Sequence, residues 1–142
     1  MLKTATVILI VLMIFAGLYS ILLIVSPETV ASSTLEARSG KTFELIEDQD
    51  AAETIIVQTR HLGVFALATT VAVFFILLSA YRKGEKWAWW AIFVVGLISW
   101  GYGLIMQIIE KDMMNLILHL VGIILLLVGV LLPLKTFFPK ED

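Results

Sequence analysis

His61 and His119 are the two imidazoles of a chain that has no cysteine. Histidine ordinarily titrates near neutrality, so each could serve as a metal ligand, a proton carrier or a hydrogen-bonding anchor. Tyr102, Gln107, Glu110, Asp112 and Asn115 lie close to His119 in the sequence, and Arg60 precedes His61. Two imidazoles with two carboxylates make a donor set that zinc or another borderline metal accepts. Their spacing fits no zinc-ligand pattern, so no metal site is expected. A second chemistry is a polar pocket for a small molecule or lipid headgroup, lined by Tyr102, Gln107, Asn115 and His119. The third is structural and is the expectation for His119. Burial would keep the ring neutral, and it would hydrogen-bond Gln107 or a backbone carbonyl of the neighbouring helix. Arg60 with Glu110 reads most simply as an ion pair that fixes the angle between two helices. There is no nucleophile–base–orienter set, no Gly-rich phosphate loop and no thiol, so no catalytic residue is expected; the sequence specifies no cofactor.

The elements that must carry these residues follow from composition. Of the 142 residues, 60% are hydrophobic and 15% charged, and the mean hydropathy is +0.99. A soluble domain has roughly a quarter charged residues, so most of this chain belongs in an apolar surrounding. Four apolar stretches, 4–25, 62–81, 87–109 and 113–134, contain no Lys, Arg, Asp or Glu. Each is close to the ~20 residues with which an α-helix crosses ~30 Å of hydrocarbon. They lack the alternation of a barrel strand, and only helices or closed barrels satisfy their backbone in lipid. The expected fold class is an all-α integral membrane protein, a four-transmembrane-helix antiparallel bundle forming one membrane domain over 1–142. The first stretch exceeds the roughly 7–15 apolar residues of a secretory signal core, so an uncleaved helix is expected.

Orientation follows from the basic residues. Lys3, the Arg82-Lys83-Gly84-Glu85-Lys86 turn, Lys135 and Lys140 fall on one side, which the positive-inside rule assigns to the cytoplasm together with both termini. The 26–61 loop, rich in acids, and the Glu110-Lys111-Asp112 turn then lie outside. Within that loop, Ser33 followed by Glu36 reads as a capping box opening a short helix that Gly40 stops. Thr42 reads as the cap of a further turn with Phe43 and Ile46 on one side. Asp50 and Glu53 mark the start of the second long helix near Ala51, outside the bilayer. The loop is expected to form a short helical extracytoplasmic cap. A net charge of −2 gives no basic footprint for nucleic acid.

Small and polar residues locate helix contacts in a bilayer. Gly96, Ser99, Gly103, Gln107 and Glu110 recur every three or four residues on the third stretch, and Asn115, His119, Gly122, Leu126 and Gly129 do so on the fourth. Residues equidistant from the turn near Lys111 share a depth, which pairs Gly103 with His119 and leaves space for the ring. Tyr81, Trp87, Trp89 and Trp90 flank the basic turn and read as membrane-interface anchors, with Phe137 and Phe138 in the same layer. Trp100 and Tyr102 lie deeper, where ordinary packing is expected ahead of contact with lipid, a subunit or a flat ring.

The order of features also carries a likeness. Ser26-Pro27-Glu28, Thr34-Leu35-Glu36 and Gly40-Lys41-Thr42-Phe43-Glu44-Leu45 are followed by Arg60-His61-Leu62-Gly63-Val64. Then come Tyr81-Arg82-Lys83-Gly84-Glu85-Lys86-Trp87-Ala88-Trp89-Trp90 and Leu131-Leu132-Pro133-Leu134-Lys135-Thr136-Phe137-Phe138-Pro139. Over nearly its whole length the chain resembles the small four-helix bacterial membrane proteins of the DoxX-like and related unknown-function families. That resemblance implies a prokaryotic inner or plasma membrane and brings no catalytic residue. The expected function is a non-catalytic accessory or structural subunit, with the bilayer and other membrane subunits or a second copy as partners. The alternative is a protein that binds a small molecule, lipid or quinone in a polar outer-leaflet pocket.

Overall fold

Uninterrupted apolar sequence becomes helix here because backbone groups have no other partner, and the breaks fall where side chains or ring geometry end that pattern. The computed structural model describes residues 1–41, 43, 46–110 and 113–139, with the side chains of Glu110 and Met114 excepted. Helix α1 (Leu2–Val25) ends at Ser26, and α2 (Pro27–Ser39) begins at once with Pro27 in its first turn. Proline suits that position because its fixed φ is helical and its missing N–H would have had no partner. Ser33 therefore lies inside α2, donating to the Val30 carbonyl at 2.9 Å, and does not cap it. Gly40 ends the helix at φ 67°, a conformation that costs glycine nothing. The expected cap at Thr42 lies outside the described residues.

Helix α3 (Gln49–Ser79) is capped by Asp48, whose carboxylate accepts from the Asp50 and Ala51 amides at 3.0 and 3.1 Å. Its 31 residues span about 46 Å, well beyond a hydrocarbon core of ~30 Å. A 3₁₀ turn (Tyr81–Lys83) and Gly84 at φ 83° reverse the chain into α4 (Lys86–Glu110). Helix α5 (Met113–Leu131) is the shortest of the long elements, and beyond Pro133 a single turn, α6 (Leu134–Phe137), folds back. Three segments are long and apolar enough to cross a membrane: Leu2–Val25, Gln49–Lys83 and Lys86–Ile109. The fourth apolar segment, expected over 113–134, stops as helix at Leu131, because Pro133 cannot continue the ladder.

Helices α1, α3, α4 and α5 run alternately up and down. Helix α1 packs along α3 and on α5, and α4 packs along α5, but α3 and α4 touch only sparsely. The fourfold arrangement is therefore open between α3 and α4. On the α4–α5 seam, Leu126 covers Gly96, Trp100 covers Gly122 and His119 covers Gly103. Gly129 instead faces α1, where a Cβ would meet Leu9 at 2.5 Å. Gly63 permits the closest approach of α1 and α3, with the Ser20 carbonyl 3.0 Å and the Leu23 Cβ 2.8 Å from where its Cβ would stand.

The core occupies one end, that of Lys3, Arg82, Lys83, Lys86 and Lys135. Leu9, Leu12, Leu77, Tyr81, Ile92, Val130 and Phe137 are buried there. Tyr81 donates its hydroxyl to the Gly129 carbonyl at 2.6 Å, and Trp89 donates its indole N–H to the Val130 carbonyl at 2.8 Å. Carbonyls in the last turn of a helix lack intrahelical donors, so these two side chains cap α5 from neighbouring elements. Phe137 lies against Tyr81 at 4.8 Å between ring centroids, and Trp89 stacks on Phe93 at 5.1 Å. Tyr81 and Trp89 thus point into the protein. Trp87 and Trp90, the other two expected anchors, are 56% and 52% exposed.

Candidate ligand-binding cavity

A cavity of about 390 Å³ lies between α1, α3, α4 and α5, beyond the core toward the end where α2 packs on α1 and α3. Its floor is Met13, Val73, Ile92 and Leu126, residues shared with or adjoining the core. Its upper wall carries Tyr19, Ser20, Thr69, Ser99, Asn115 and His119. Apolar surface dominates the lining, and among the described residues no Lys, Arg, Asp or Glu contributes to it. Phe65 and Leu62 line it while remaining 71% and 61% exposed, and Ser99 across from them on α4 is also exposed. These residues form a mouth in the gap between α3 and α4, opening sideways. The volume falls in the range of about 300–1,000 Å³ usual for small-molecule sites.

Helical spacing puts His119 six residues into α5, about 9 Å along its axis. Its Nδ1 lies 2.8 Å from the Asn115 carbonyl, which can only accept, so Nδ1 carries the proton. The partner is one turn back on α5 itself, not Gln107 or a carbonyl of α4 as the sequence led us to expect. A ring one turn ahead reaches that carbonyl without crossing the seam, and the bare Gly103 surface accommodates its other edge. Trp100 meets the imidazole edge-on, with centroids 5.7 Å apart.

Of the four residues proposed as a pocket lining, Asn115 and His119 lie in the cavity wall, and Tyr102 and Gln107 do not. Tyr102 is 65% exposed on the outer face of α4, since one residue before Gly103 is a 100° rotation away from the seam. Gln107 keeps its side-chain oxygen buried with no partner among the described residues. Arg60 and His61 are exposed on α3. The Arg60–Glu110 pair, Lys111 and Asp112 lie outside what is described. Among the described residues, no three of His, Cys, Asp and Glu come together as metal ligands.

Sequence reasoning missed Tyr19, Ser20, Thr69 and Thr70, which the cavity recruits from α1 and α3. Hydroxyl residues set within otherwise apolar stretches were the available signal. Ser20 donates to the Ala16 carbonyl, Thr69 to Phe65 and Thr70 to Ala66, at 2.8, 2.9 and 2.8 Å. Each is therefore tolerated in an apolar setting by folding back on its own helix.

No family model matches the chain, and no curated protein or solved structure is detectably similar to it.

Proposed function

We propose that this is a four-span membrane protein that holds a small amphiphilic molecule in the interhelical cavity. The observation that carries the reading is the cavity itself: apolar, lined by no charged side chain among the described residues, polar at the level of His119 and Asn115, and open sideways between α3 and α4. A molecule reaching it from the bilayer would enter without crossing water. Helix α5 supports the fourth span, since its 19 residues reach about 28 Å, close to a hydrocarbon thickness of ~30 Å. The basic end then faces the cytoplasm, with both termini, and α2 forms the outer cap. The resemblance to DoxX-like proteins supports a prokaryotic inner membrane. Single cysteines replacing Ser39 and Gly84, in a chain that has none of its own, should label from opposite sides of the membrane.

A second reading, an accessory subunit of a larger membrane complex, is favoured by α4. Leu97, Ile98, Tyr102, Ile105 and Ile109 make a long exposed apolar face that none of the described residues covers. Lipid or a neighbouring subunit would cover it. Mild extraction from the native membrane followed by native mass measurement separates the two. The binding reading expects the chain to retain a small non-protein mass. Co-extraction of another protein at fixed stoichiometry, with no small mass retained, would replace it with the accessory reading.

A further inference from the structure

We propose that the cavity's occupant is an uncharged lipid whose head is a hydroxyl group, with its chain leaving through the mouth between α3 and α4. This rests on the cavity being a ligand site and adds the chemistry of the head. The first argument is charge. Among the described residues, a phosphate, carboxylate or ammonium head would enter a wall with no Lys, Arg, Asp or Glu to pair with it, and an unpaired ion in an apolar interior is strongly disfavoured.

The second argument is the direction of the hydrogen bonds. The Ser20, Thr69 and Thr70 hydroxyls all donate to their own backbones, and His119 Nδ1–H donates to Asn115. What these groups retain is acceptor capacity: hydroxyl lone pairs and, on an uncharged ring, the Nε2 lone pair at the edge beside Gly103. Ser99 on α4 adds a hydroxyl that can donate. A hydroxyl head both donates and accepts, so it can use both sets. A ketone or an ether lacks the donor that the acceptor-rich side requires.

Shape supplies the third. Tyr81, Trp89 and Phe137 close the basic end, so a chain longer than the cavity cannot continue along the bundle axis. Sideways, Phe65 and Ser99 flank an opening onto the surrounding lipid. The head therefore sits near His119 and the chain exits laterally.

The test uses the full chain in zwitterionic phospholipid nanodiscs. The probe is hexadecan-1-ol carrying a diazirine on its chain, compared with the corresponding methyl ether and hexadecanoic acid. The alcohol should photolabel peptides 62–73 and 92–100 at least about five-fold more than either comparator, the scale of one hydrogen bond. His119→Phe should bring the alcohol-to-ether ratio to about one. Ser99→Phe, at an exposed position, should block the mouth and remove cavity labelling by all three, with an unchanged thermal midpoint showing that the fold is kept. Equal labelling by the ether or the acid would overturn the hydroxyl head and leave the cavity reading standing. If no probe labelled these peptides above the lipid-facing surface around Val7 and Val11, the cavity reading itself would fall.

Discussion

At the basic end, Leu9, Leu77, Tyr81, Trp89, Val130 and Phe137 are each no more than 5% exposed, whereas around His119 the same four helices surround a cavity of about 390 Å³. Both regions are built from apolar helices with glycines at the crossings, so hydrophobicity does not distinguish them. Lipid is as apolar as leucine, and helices associate in it through close packing and interhelical hydrogen bonds. The basic end has both: large aromatic rings fill the space, and Tyr81 and Trp89 bond across to α5 carbonyls. In the cavity half, Ser20, Thr69, Thr70 and His119 spend their donors on their own helices, so these four bonds satisfy their own groups without joining one helix to another. Polar residues in a membrane segment act as glue only when they reach another element.

This difference can be broken by substitution. The largest contrast should come from leucines: Leu9→Ala opens a hole in the packed end and should cost about 2 kcal/mol, read by thermal unfolding in detergent. Leu118→Ala enlarges a space that already exists and should cost less than about 0.5 kcal/mol. Equal losses would mean that the two halves are packed alike. Tyr81→Phe keeps the ring and removes its bond to Gly129, for an expected loss of ~1 kcal/mol. The smallest effect should be at His119. Because its donor bond stays within α5, His119→Leu breaks no tie between helices and should change stability by less than about 0.5 kcal/mol. A loss near that of Leu9→Ala would show that the ring holds α4 to α5 after all.

The sequence made the helices legible because their signals are local. Four charge-free stretches, a glycine stop at Gly40 and a helix start near Ala51 could be read without tertiary information, although the capping carboxylate is Asp48 and the expected Asp50 lies in the first turn of α3. The level of His119 with Gly103 followed from counting outward from one short turn. The cavity was not legible, since it depends on how far α3 stands from α4, and no spacing within a helix encodes that distance. Gln107 was grouped with His119 by its spacing along the α4 seam and Tyr102 by nearness in sequence, but helical phase turns Tyr102 outward. Tyr81 and Trp89 sit beside a basic turn, where inward-facing caps and outward-facing anchors have the same sequence pattern. Only the break at Pro133, which leaves the Gly129 and Val130 carbonyls in need of donors, distinguishes the two roles.

The most direct test of an open, ligand-accepting half beside a closed one is an experimental density map of the protein purified with its native lipids and no added ligand. The account predicts elongated density entering between Phe65 and Ser99 and ending beside His119, with Tyr81 and Trp89 sealing the opposite end. A centre in which Phe65 and Trp100 turn inward and fill the space, leaving both ends equally packed and no room beside His119, would contradict it.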